Sequence, residues 1–230
     1  MKGFFKVQTP EQLHKKMDRF KPLSSEKVPI EDSLHRVLSE DIISPINLPE
    51  FPRSTVDGFA LKAKDTYGGS EKNPAILRLV GEIPMGQVSD IEVKDGEAVK
   101  VATGGMVPKG ADAVEMVEYT EWVDSHTLHA FKPLSPLENV IQVGEDVKVG
   151  EVVLYRGHWV RPQDIGLMAG IGKKDVHVFL RPRVAIISSG DEIVPIETVP
   201  NPGEVRDINR YTIVSMVEET GGIPIFLGIA

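Results

Sequence analysis

The chain has 230 residues, 41% hydrophobic and 26% charged, no cysteine and a formal net charge of −8. That excludes disulfides, thiolate zinc sites and cysteine nucleophiles. It also argues against nucleic acid, because the longest basic runs are the pairs Lys15-Lys16 and Lys173-Lys174. No stretch approaches the ~18 apolar residues of a membrane span, and MKGFFKVQTPEQL holds no signal-peptide core, so a cytoplasmic protein that leaves membranes alone is expected.

Residues 10–19 predict a helix, with Thr9 as N-cap, Pro10 in the first turn and Leu13 and Met17 on one face. EKVPIEDSLHRVLSEDI predicts an extended piece and a second helix around 31–38. Pro45, Pro49 and Pro52 then forbid a long helix and mark a boundary near residue 49. From about 75 to 132 the pattern is β, with candidate strands at 75–83, 97–103, 113–119 and 127–132. Residues 139–160 predict strand, turn, strand, and 162–169 a short helix that ends at Gly170 and Gly172.

At residue 183 the pattern changes. RVAIISSGDEIV opens with an apolar run that suits a strand buried on both faces of a parallel sheet. RDINRYTIVSMVEETGG follows as a helix capped by Asp207 or Asn209, and PIFLGIA as another strand. Strand, helix, strand is the opening of an α/β layer domain, too little sheet to cover its own helix.

Three groups of residues carry possible chemistry. Ser54-Thr55-Val56-Asp57-Gly58 crowds hydroxyls and a carboxylate into one loop. It suits a metal or a hydroxyl-rich ligand, and equally a turn capped by Asp57. Thr103-Gly104-Gly105-Met106-Val107-Pro108-Lys109-Gly110 follows a strand and offers main-chain N–H groups to phosphate oxygens; a plain strand connection also accounts for it. It is not a P-loop, since Lys109 precedes Gly110. Ser188-Ser189-Gly190-Asp191-Glu192 ends the strand 183–188. In open α/β sheets ligands sit beyond the carboxyl ends of the strands, so these acids suit a hard cation such as Mg²⁺; surface acids in a turn are the other reading. His126 and His129 point to opposite faces of a strand and make poor joint ligands.

In order, these motifs resemble one family. EDSLHRVLSEDIISPINLPEFPRSTVDGFAL, VKVATGGMVPKGADAVEMVE, NVIQVGEDVKVGEVVL, and RPRVAIISSGDEIV with RDINRYTIVSMVEETGG are similar to the MoeA-type molybdopterin molybdenumtransferases, which include the E domain of gephyrin. The resemblance implies a mixed α/β multi-domain homodimer. An elongated discontinuous α+β domain takes residues 1–48 and 140–180, an inserted β domain 49–139, and a three-layer α/β domain begins at 181–230. It implies molybdenum cofactor biosynthesis, in which molybdate is joined to adenylylated molybdopterin and AMP leaves, assisted by Mg²⁺.

By the same resemblance Asp57 and Glu192 are catalytic, and Asp57, Asp191 and Glu192 hold the metal. Thr103, Gly104, Gly105, Asp146, Ser189 and Gly190 bind substrate. The family's α/β domain continues with a Ser-Gly-Gly loop, an acidic metal-binding loop and a Lys/Pro/Gly-rich segment that this sequence lacks. The chain is therefore expected to be an N-terminal part that does not catalyse alone. The alternative is a non-catalytic binding or scaffold module of the same fold.

Overall fold

The computed structural model describes residues 8–230, so the first residues of the stretch searched for a signal peptide lie outside it. The helices are α1 (Pro10–Met17), α2 (Pro162–Gly170) and α3 (Asn209–Glu219). The first strands are β1 (Ser25–Pro29), β2 (Ile42–Ile43), β3 (Arg53–Ser54), β4 (Gly58–Leu61), β5 (Ala75–Ile83), β6 (Glu97–Val101), β7 (Ala113–Met116) and β8 (Thr120–Trp122). Then follow β9 (Thr127–Ala130), β10 (Val140–Ile141), β11 (Val152–Leu154), β12 (Asp175–Phe179), β13 (Arg183–Ser188), β14 (Ile193–Val194), β15 (Val205–Arg206) and β16 (Ile223–Ile229). The class is α+β, mostly strands. The chain divides into two compact units: Ile43–Val153, and the residues up to Ile42 together with Leu154–Ala230.

The first unit is built on a six-stranded mixed sheet in the order β7-β4-β6-β5-β9-β8. Side chains alternate across a strand, and here both faces are covered. Phe59, Leu61, Leu77, Ala98 and Leu128 pack on one face, and Ala60, Ile83, Val93, Val99 and Val114 on the other. β4 lies between β6 and β7, and all four of its residues are buried. Gly58 is required there, because a Cβ on it would stand 1.9 Å from the Glu115 carbonyl oxygen. Burying Phe59 alone contributes about 2–3 kcal/mol.

In the second unit, Thr9 caps α1 as expected: its hydroxyl accepts from Gln12 N–H, and the Gln12 side chain accepts from Thr9 N–H. β1 pairs antiparallel with β12, from Ser25 opposite Phe179 to Pro29 opposite Asp175. α2 starts at Pro162, and its first turn is closed by Asp164, which accepts from Arg161 N–H at 2.8 Å. β13 and β16 are parallel, with α3 between them in sequence, so the expected strand–helix–strand unit is present. The Asp207 carboxylate accepts from Arg210 N–H at 3.0 Å, one of the two capping choices the sequence left open.

Several expectations are corrected. Residues 31–38 do not form a helix. A single 3-10 turn, Ile30–Ser33, is followed by irregular chain, and His35 has φ 59°, which a helix cannot absorb. Leu38 instead bridges Val178 and is fully buried. The strand at 113–119 stops at Met116 and turns into a 3-10 segment. Within 139–160 the expected strand, turn, strand is present as β10 and β11, though the two are not partners: Val140 pairs with Ser54 on β3. The amides between them bond elsewhere, Gly144 N–H to Pro49 O and Asp146 and Val147 N–H to Leu48 O. β13 is not buried on both faces. Ile186 and Ser188 are buried while Arg183, Ala185 and Ile187 are exposed, so only one face is covered.

Candidate functional site

Asp57 immediately precedes β4. Its carboxylate Oδ1 accepts two hydrogen bonds from Thr103, from the backbone N–H at 2.7 Å and from Oγ1 at 3.0 Å. Thr103 follows β6, the antiparallel neighbour of β4, and the pairing of Gly58 with Val101 brings the two residues together. The two bonds hold the Asp57 carboxyl below the usual carboxylate range, so it stays charged at neutral pH. No hydrogen bond among the described residues reaches Oδ2.

The glycine-rich loop is wired to itself. Gly104 N–H donates to Ser54 O at 2.8 Å, and Gly105 N–H to Ala102 O at 2.8 Å. Ser54 N–H returns a bond to Gly105 O at 2.9 Å. These amides are taken, so Gly104 and Gly105 do not present the open row of phosphate donors that the sequence suggested. They shape the loop: Gly104 has φ 76°, and a Cβ on Gly105 would lie 2.8 Å from Ala102 O.

Beside Asp57 lies a cavity of about 290 Å³, lined by Phe59, Glu82, Lys100, Val101 and Val117 among others. The sequence reading singled out none of these. They come from β4, β5, β6 and the 3-10 segment after β7, and meet only through the sheet register. Asp146, also in this unit, is exposed on a loop fixed by its own N–H bond to Leu48 O, and its side chain joins no cluster.

The second unit carries the other group. Ser189, Asp191 and Glu192 are exposed, and Gly190 is half-buried. Their loop is pinned at both ends. Gly190 N–H donates to Ala230 O at 3.3 Å, and Val205 N–H to Glu192 O at 2.8 Å, where β14 and β15 run parallel. A cavity of about 470 Å³ is lined by Glu192, Arg206, Asp207 and Asn209 among others. Below it, buried Ser188 Oγ donates to buried Asp207 at 2.5 Å. That bond and Arg210 N–H hold the Asp207 carboxyl below its ordinary range.

No group of three or more His, Asp or Glu residues converges among the described residues. Each candidate acid stands alone, with oxygen donors only. Mg²⁺ is commonly held by one or two carboxylates plus substrate phosphates, and an exposed carboxylate such as Asp57 or Glu192 suits that mode.

A family model described as MoeA N-terminal region (domain I and II) matches residues 7–172. The chain belongs to the MoeA family. The molybdopterin molybdenumtransferase of Staphylococcus aureus is 38% identical over 195 residues, which are 84% of this chain and 46% of that protein. The Bacillus subtilis protein of the same name is 36% identical over 207 residues, 89% of this chain and 48% of that one. A crystal structure of the molybdopterin biosynthesis MoeA protein from Pyrococcus horikoshii superposes with a TM-score of 0.85 at 37% identity, covering 96% of this chain and 59% of that one. This MoeA chain thus spans about half the length of the curated relatives it matches. None of its described helices is long and apolar enough to cross a membrane.

Proposed function

We propose that the chain is the N-terminal part of a molybdopterin molybdenumtransferase acting in molybdenum cofactor biosynthesis, joining molybdate to adenylylated molybdopterin with release of AMP. Its relatives' names support the reading, and one observation carries it: the Asp57 carboxylate is held charged by both donors of Thr103, with Oδ2 unengaged. Such a carboxylate suits a hard cation that neutralises phosphate. Asp57 would hold Mg²⁺ in one unit, and Asp191 and Glu192 in the other, in part through water. When bound, Mg²⁺ supplies charge neutralisation at the phosphoanhydride oxygens.

This chain's own residues bind and orient. Thr103 fixes the rotamer of Asp57. Gly104 and Gly105 set the path of the loop. Ser189 and Gly190 place Asp191 and Glu192 beyond the end of β13, where α/β sheets hold ligands. Asp146 completes the substrate contacts. We further propose the three-part division 1–48 with 140–180, 49–139, and 181–230, a homodimer, and a cytoplasmic location.

The test is AMP release from adenylylated molybdopterin on addition of molybdate, using the full-length protein. Asp57→Ala and Glu192→Ala are each expected to lower the rate at least 100-fold, the scale of losing a group that stabilises developing charge. Wild-type rates in both variants would remove the assignment.

A further inference from the structure

The six-stranded sheet carries a row of side chains across four strands. Glu115 on β7 stands opposite Phe59 on β4, Phe59 opposite Lys100 on β6, and Lys100 opposite Glu82 on β5. Directly paired residues project to the same face. Phe59, Lys100 and Glu82 line the cavity that Asp57 borders. Lys100 is the cation among its lining residues.

At rest Lys100 Nζ lies 3.1 Å from Glu82 Oε1, and the two side chains are 45% and 59% exposed. A pair so open to water is weak and is given up readily to a better anion. A phosphate oxygen is such an anion. The Phe59 ring, paired with Lys100 across β4 and β6, gives the ammonium an apolar neighbour, which strengthens a charge contact made inside the cavity. Asp57, one residue before β4, supplies the opposite requirement, a fixed negative charge for the cation that accompanies a phosphoanhydride.

We propose that Lys100 binds a phosphate oxygen of a magnesium-bound phosphoanhydride in the Asp57 cavity, and that Glu82 is the counterion this oxygen displaces. The inference rests on the reading of Asp57 as a cation-holding residue. Glu82 then sets affinity from outside the chemistry. It neutralises Lys100 in the empty cavity and repels the arriving phosphate, so its removal strengthens binding. A plain surface ion pair would show no such effect.

Magnesium ADP is the probe, titrated into the full chain while the fluorescence of Trp122, whose ring meets Phe59 edge-on at 5.7 Å, is followed. Lys100→Gln is expected to weaken binding roughly ten-fold or more, the scale of one charged hydrogen bond. Lys100→Arg is expected to restore most of it, and Glu82→Gln to tighten it roughly three-fold or more. Rising salt should shrink all of these differences.

Unchanged affinity in both Lys100→Gln and Glu82→Gln, with binding lost in Asp57→Asn, overturns the inference and leaves the reading of Asp57 standing. Changed affinity in the first two with none in Asp57→Asn upholds the anion site and removes the metal role of Asp57. Absence of binding in the wild-type chain overturns both.

Discussion

Ser188 Oγ and Asp207 Oδ2 lie 2.5 Å apart, both residues buried, and this one bond joins the end of β13 to the start of α3. Asp207 Oδ1 takes Arg210 N–H as well, so a single carboxylate closes the helix and anchors the strand. Ser188→Ala leaves that buried carboxylate short of a donor, and a loss of about 1–2 kcal/mol is expected in urea unfolding. Ser188→Thr, which keeps the donor, should recover part of it. An unaltered unfolding midpoint for Ser188→Ala would show that the bond adds nothing.

Glu115 is fully buried on β7, and neither carboxyl oxygen has a hydrogen-bond partner among the described residues. Burial pushes its carboxyl up to about 7, a shift that nearby Lys132 only partly offsets. An unfolded chain releases this proton at its ordinary value, while the folded chain keeps it. Stability is therefore expected to fall as pH rises from about 4.5 to about 7, and to level off beyond. Glu115→Gln should flatten that slope and raise stability at pH 8 by on the order of 2 kcal/mol. Parallel pH profiles for the two proteins would refute the account.

Asp164 works with the opposite sign. It is buried and accepts from Arg161 N–H, Nε and Nη2, while His158 Nε2 lies 2.7 Å away. These contacts hold its carboxyl far below the usual carboxylate range. Its contribution is complete above the unfolded value near pH 4 and fades as pH falls toward the folded one. Asp164→Asn should cost about 2 kcal/mol at pH 7, reduced from a fully buried pair because Arg161 faces water. The difference from wild type should narrow in unfolding curves taken at pH 3.

Gly58 tolerates no side chain, since any Cβ would collide with the Glu115 carbonyl oxygen. Gly58→Ala must part β4 from β7 next to Asp57, and a loss on the order of 3 kcal/mol is expected. Hydrogen exchange should report faster opening at Phe59 and Val114. Gly86→Ala is the control: open space surrounds Gly86, so its effect should be confined to the backbone strain of its own positive φ of 74°.

Much of the chain was legible beforehand. β5 has the bounds 75–83 read from its Val and Ile content, and the parallel pair β13 and β16 followed from the apolar runs around α3. The failures have physical causes. His35 turns through positive φ, which no apolar spacing announces, so the helix at 31–38 did not form. The amides of Gly104 and Gly105 looked free because their acceptors, Ser54 and Ala102, are set by loop geometry. Among the candidate residues, Asp57 and Thr103 were named separately, and their contact depends on strand register 46 residues apart. Nothing in the spacing of Lys100 and Glu82 sets them apart, for the same reason, since their cavity forms only once β4, β5 and β6 lie side by side.

β4 has consequences for how variants of this protein behave in the laboratory. A strand gripped on both edges and sealed on both faces gives the residue just ahead of it almost no freedom to wander. Replacing Asp57 by Asn therefore alters charge while its geometry stays in place. Such a chain should crystallise like its parent, so that any difference in what it binds reports the missing charge alone.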